Sequence, residues 1–230
     1  MPPRMRRTSR LLKADLHTHT YFSPDALTSP EKYVQTCLKR RINCVAVTDH
    51  NDIGGALAVQ KLASFRVIIG EEVESSEGEI IGLFLREEVP AGLSPEESVR
   101  RIKDQGGLVC VPHPFDRFRH EHLAEAALMR ILPQVDIIET LNARTTLRSD
   151  NEHASRFAQE HGLAMSAGSD AHSPRELGRA CVEMPDFEGP QEFLQVLRQG
   201  RIVGRLSGPL VHFWSRWARL RRRLGWRPTE

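Results

Sequence analysis

Short apolar runs in this chain repeatedly end in ionisable side chains, and that pattern limits the folds available to it. "LLKADLH" delivers Asp15 and His17, with His19 two residues on, and "CVAVTDH" ends at Asp49 and His50. "FRVIIGEEV" carries Glu71 and Glu72, "LVCVPHP" carries His113, "VDIIETLN" carries Glu139 and Asn142, and "GLAMSAGSDAH" closes on Asp170 and His172. The runs lack clean polar alternation, so they read as strands buried among neighbours. Helical stripes separate them, as at Tyr33, Val34, Cys37 and Leu38 behind Pro30, and at Val99 and Ile102 behind Ser94 and Pro95. "FRVIIGEEV" and "EIIGLFL" are expected to pair across a turn at residues 75–78. The alternation predicts an α/β fold of six or seven strands over residues 11–205. In a barrel the outgoing strand ends meet on one rim, whereas an open sheet gathers fewer of them at its crevice, so a barrel is expected.

The ends of the chain differ from its body. Residues 1–10 and 216–230 carry +4 and +5 of a net +2, leaving −7 on residues 11–215. Basic ends suit solvent or an anionic surface, while carboxylates in the body suit cations. The four cysteines are widely spaced and read as buried thiols. No apolar run approaches a membrane span, and the basic start passes quickly to Lys13, Asp15 and His17 rather than to a secretory leader. A cytoplasmic protein is expected. Residues 206–230 are read as a separate basic amphipathic extension, with Leu210, Phe213, Trp214, Trp217, Leu220 and Leu224 on one helical face.

Histidine is seldom favoured deep in a core. His17, His19, His50, His113 and His172, at the ends of four strands, therefore read as a metal cluster, joined by Asp25, Glu72 and Asp170. His120, His122, His153 and His161 sit in helix-like or connecting segments and are not needed for it. A nitrogen and oxygen ligand set suits Mn²⁺, Fe²⁺ or Zn²⁺, with Mg²⁺ at oxygen-rich positions.

The motifs "DLHTHTYFSPD", "VAVTDHN", "IIGEEVE", "VPHPF" and "AGSDAH", in this order, resemble those of the polymerase-and-histidinol-phosphatase (PHP) superfamily. The resemblance covers most of residues 12–205. It implies a distorted seven-stranded (β/α)7 barrel holding two or three divalent metal ions. It implies ligand roles for His17, His19, Asp25, His50, His113, Asp170 and His172, with Glu72 bridging metals. Some members carry a histidine in the strand after the Glu motif; here "GEIIG" offers Glu79 in its place.

Metals so held can orient a water, lower its pKa and polarise a phosphoryl oxygen, without a protein nucleophile. Asp15, Glu72 and His113 are expected to serve the catalytic arrangement, Asp15 by orienting a ligand or water. Asn142, Arg144 and Arg175 are expected to meet the substrate. Ser23, Ser166 and Ser169 lack the glycine-framed elbow of a serine hydrolase. The resemblance implies a phosphoesterase acting on a phosphorylated small molecule or nucleotide, or on a short nucleic-acid end. A metal-dependent amidohydrolase and a catalytically inactive metal-binding interaction module are the rival readings. Oligomeric state is left open.

Overall fold

The computed structural model describes residues 11–208 and 210–224. Nine strands form one sheet among them: β1 (Leu11–Thr18), β2 (Cys44–Val47), β3 (Arg66–Ser75), β4 (Gly78–Leu83), β5 (Leu108–Val111), β6 (Ile137–Asn142), β7 (Ala164–Gly168), β8 (Ala180–Pro185) and β9 (Arg201–Gly204). Seven α-helices accompany them: α1 (Pro30–Lys39), α2 (Gly54–Leu62), α3 (Pro95–Asp104), α4 (Glu125–Ile131), α5 (Arg148–Glu160), α6 (Gly189–Leu197) and α7 (Leu210–Arg223). The sheet order is β7-β6-β5-β4-β3-β2-β1-β8-β9.

The strands curl until the exit of β7 meets the exit of β1. Thr18 and Ala171 form a parallel bridge, Asp170 N–H donates to the His17 carbonyl at 2.8 Å, and His19 N–H donates to the Ala171 carbonyl at 3.0 Å. The result is an α/β fold with a nearly closed barrel. It differs from the expected seven-stranded (β/α)7 barrel in two ways. β4 runs antiparallel to both β3 and β5, so one crossover is replaced by a hairpin. β8 pairs antiparallel with the first half of β1 and carries β9 on its outer side, extending the sheet past the ring.

Local sequence accounts for most elements. β2 and β5 are buried along their whole lengths, as strands covered on both faces must be. Ser29 and Ser94 accept from Lys32 N–H and Glu97 N–H at the starts of α1 and α3, each followed by proline. Val99 and Ile102 are fully buried, and β3 turns into β4 with Ser75 opposite Gly78. In α1 the buried stripe is Tyr33, Val34 and Cys37, while Leu38 is exposed. The four cysteines are buried free thiols.

Of the C-terminal stripe, Trp217, Leu220 and Leu224 are exposed, whereas Ala218, which is not part of it, is buried. The side chains of Leu210, Phe213 and Trp214, and the arginines of residues 1–10, lie outside the described residues. Among the described residues no helix is long and apolar enough to cross a membrane.

Candidate metal centre

The exits of β1, β2, β5 and β7, the inner face of β3 and the start of β4 bring nine expected ligands to one place. His17 lies in β1, with His19 just past it and Asp25 in the following loop. His50 follows β2, Glu72 lies in β3, Glu79 in β4, His113 follows β5, and Asp170 and His172 follow β7. All except His50 are buried. Four sets place one ligand atom each within 4.8 Å of the others: His19 with His50 and His172, His17 with His113 and Asp170, His17 with His19 and Glu72, and His50 with Glu72 and Glu79. His120, His122, His153 and His161 belong to none of these sets.

Backbone strain aims two of these side chains inward. His113 and Asp170 adopt φ of 28° and 51°, a region non-glycine residues rarely occupy and one that concentrates at functional sites. Gly168 permits the close approach of β7 to β1, since a Cβ there would collide with His17 Cβ and stand 2.7 Å from Glu139 Oε1.

Hydrogen bonds fix the ring orientations. Asp49 Oδ1 accepts the Ser23 hydroxyl at 2.6 Å, and Ser23 Oγ lies 3.0 Å from His19 Nδ1. The serine proton is committed to Asp49, so His19 Nδ1 donates and its Nε2 presents a lone pair. Glu139 Oε1 lies 3.2 Å from His17 Nδ1 and fixes that ring in the same sense. The two Nε2 atoms stand 3.2 Å apart, with Glu72 Oε2 3.3 Å from His17 and 3.4 Å from His19. Two ring nitrogens and a carboxylate oxygen directed at one point suit a cation. Asp25 Oδ1, Glu72 Oε2, Glu79 Oε2 and Asp170 Oδ1 are buried without a hydrogen-bond partner, although burying a polar atom unpaired is costly. The donor set fits divalent metal ions.

The charges follow from this crowding. Burial lowers His17, but Glu72, Glu139 and Asp170 outweigh it and hold the ring well above its ordinary range. Burial, with His172 and His50 nearby, pushes His19 down to about 3. Burial raises Asp25, Glu72 and Asp170, yet neighbouring imidazoles, and Arg119 at Asp170, hold all three well below the usual carboxylate range. Glu79 is driven well above that range by burial and by Glu72.

The remaining expected residues are placed as follows. Asp15 faces away from the cluster: its oxygens accept from Ser169 N–H at 2.8 Å, Ser169 Oγ at 2.6 Å and Gly178 N–H at 2.7 Å, and burial raises it to about 6. Glu71 points to the opposite face of β3 from Glu72 and accepts from Val89 N–H. Asn142 is buried and donates to Glu139 and Asp170. Arg144 is 4% exposed; its Nη1 lies 2.5 Å from His172 Nδ1. Arg175 lines a different cleft, with Lys13, Arg40, Arg179 and Arg205.

A cavity of about 460 Å³ opens over the cluster, lined among others by Asp25, His50, Glu79, Arg119, Arg144 and Arg219. Sequence reasoning did not find Arg119, whose Nη2 donates to Asp170 at 2.6 Å and whose Nη1 lies 3.1 Å from His113 Nε2. It sits in an irregular loop, where no periodicity marks it. Glu139 was visible at a strand end, but its bond to His17 spans 122 residues of sequence.

Comparison with known proteins agrees with this geometry. The PHP domain model matches residues 15–169 and the PHP-associated model matches residues 148–202. An uncharacterised protein of Methanocaldococcus jannaschii is 36% identical over 198 residues, covering 81% of this chain and 79% of that protein. A two-domain protein of Bacteroides vulgatus, containing a predicted PHP-like metal-dependent phosphoesterase, superposes with a TM-score of 0.68 at 19% identity over 86% of this chain. Endonuclease Q, in complex with a 27-mer duplex bearing an abasic lesion at the active site, superposes with a TM-score of 0.59 at 14% identity over 83% of it. This chain spans 66% of the Bacteroides protein and 57% of endonuclease Q. With the family model covering most of the barrel and a relative aligned along four fifths of the sequence, the chain belongs to the PHP-domain family.

Proposed function

We propose that this protein is a metal-dependent phosphoesterase that hydrolyses a phosphomonoester or a nucleotide phosphate by attack of water. The observation that carries the reading is the convergence of His17, His19 and Glu72 on one point beneath an arginine-lined cavity. Two or three divalent ions held by His17, His19, Asp25, His50, Glu72, Glu79, His113, Asp170 and His172 would supply Lewis-acid charge and lower the pKa of a water.

The chain's own groups do the rest. Glu72 reaches toward both His17 and His113, the position a bridging carboxylate needs. Arg119 holds Asp170 in place and brings positive charge to the mouth, where a phosphoryl oxygen would lie. Asp15 braces the segment from Ser169 to Gly178, which carries Asp170 and His172, and so acts as a positioning residue. Arg144 serves the site by bonding to the C-terminal helix and lying against His172, and Asn142 by holding Glu139 and Asp170. A nucleotide or a small phosphorylated metabolite fits a cavity of this size.

The test is phosphate release from a panel of phosphomonoesters and nucleotides by protein stripped of metal and reloaded with Mn²⁺, Fe²⁺, Zn²⁺ or Mg²⁺. His17→Ala and His113→Ala are expected to lower turnover by about 100-fold or more while circular dichroism stays native. A folded, metal-replete wild type that releases no phosphate across the panel would overturn the reading in favour of a binding module.

A further inference from the structure

Helix α7 lies beyond the residues matched by either family model, yet it reaches the metal centre. Arg144 ties it down, donating from Nη2 to the Val211 carbonyl at 2.9 Å and to Ser215 Oγ at 2.6 Å. One turn further on, Arg219 Nη2 donates to Asp25 Oδ2 at 3.0 Å. Ser215 and Arg219 are four residues apart and so share a helix face. Both line the cavity over the cluster.

Three guanidinium groups border that cavity in different circumstances. Arg119 is held by Asp170 and lies against His113, and Arg144 is held by α7 and lies against His172. The Arg219 side chain is 51% exposed and bonds to one oxygen of Asp25. The other oxygen of that carboxylate, Oδ1, is buried without a hydrogen bond and lies 3.2 Å from His172 Nε2. Asp25 is therefore shared between the cluster and the helix above it. A divalent cation drawn to Asp25 would neutralise the charge that attracts Arg219 and repel the guanidinium directly. The displaced group would stand at the mouth through which a phosphate must enter, and its forked donors match phosphate oxygens.

We propose that Arg219 is a substrate-binding residue that exchanges Asp25 for a phosphate oxygen when Asp25 binds a cation, which makes α7 a phosphate-reading cap over the metal centre. This rests on the phosphoesterase reading above and adds the residue by which the C-terminal helix would recognise the substrate.

The experiment uses the full chain as wild type, Arg219→Ala and Arg219→Lys. Calorimetry measures Mn²⁺ binding to each metal-stripped protein and then inorganic phosphate binding to each Mn²⁺-saturated protein. Arg219→Ala is expected to bind phosphate about tenfold or more weakly, because it loses a charge-assisted bond. It should bind Mn²⁺ about threefold more tightly, because it loses a competitor for Asp25. Arg219→Lys should return Mn²⁺ affinity toward wild type and recover part of the phosphate affinity. The chain's three tryptophans are residues 214, 217 and 226, so indole emission reports on the C-terminal segment alone. Phosphate should shift that emission in wild type and leave Arg219→Ala unchanged.

Equal phosphate affinities in wild type and Arg219→Ala would overturn the inference and leave the phosphoesterase reading standing. Weaker binding of both phosphate and Mn²⁺ by Arg219→Ala would overturn the partner exchange. Absence of phosphate binding by Mn²⁺-saturated wild type would overturn the inference and count against the phosphoesterase reading as well.

Discussion

The imidazoles of this site are oriented by groups behind them. Glu139 accepts from His113 N–H at 2.9 Å and from Asn142 Nδ2 at 2.9 Å, and lies 3.2 Å from His17 Nδ1. Glutamine in its place would turn an NH₂ group against one of those donors. Glu139→Gln is expected to weaken Mn²⁺ binding by about 10- to 100-fold with the fold retained, as loss of such a supporting carboxylate generally does. Calorimetry would show it, and an unchanged affinity would remove Glu139 from the account. Glu71, on the other face of β3, makes the contrasting case. Burial raises it from 4.5 to about 7 against the Val89 N–H that stabilises its charge. A carboxyl whose folded pKa is raised binds its proton more tightly in the native state. Its contribution is therefore fully present below about pH 4.5 and is lost as pH rises through about 7. Glu71→Gln should remove that slope and gain at most about 3 kcal/mol over wild type above pH 7. Urea unfolding across pH 4–8 measures the difference, and parallel curves for the two proteins would refute it.

At the scale of elements, the sequence was clearest where an apolar run met chemistry. β1 to β3 and β5 to β7 were legible because six such runs each end in imidazole or carboxylate, and Ser29–Pro30 and Ser94–Pro95 mark helix starts. The β3–β4 hairpin was legible from its turn. β8 and β9 were not: β9 is a four-residue, partly exposed edge strand, and β8 gains its meaning only by pairing with β1 about 170 residues earlier in the chain. α4 is too short for a periodic signal. α7 was recognised as a helix, but the hydrogen bonds that tie it to the barrel, those of Arg144 and Arg219, are polar contacts that an apolar stripe does not forecast. These contacts predict that Arg144→Ala loosens α7 while the barrel stays folded. Trypsin should then cut within residues 216–223 several-fold faster than in wild type, since local opening governs such cleavage. Equal cleavage rates would show that Arg144 does not hold the helix.

Across the whole molecule, the site exists only because the barrel nearly closes. Glu139 reaches His17 across 122 residues, and the Asp15 bonds to Ser169 and Gly178 span 154 and 163. Closure packs Glu72, Glu79 and Asp170 together in a body whose net charge is already negative, a concentration of like charge that cations held there would offset. Cations selective for the folded barrel would also stabilise it. Anomalous scattering at the absorption edge of the bound metal, in crystals of the metal-replete protein, tests this most directly. We predict peaks at about 2.0–2.3 Å from the Nε2 atoms of His17 and His19 and from a Glu72 oxygen, the usual coordination range. A folded barrel with metal bound elsewhere and no peak between His17, His19 and Glu72 would contradict the account.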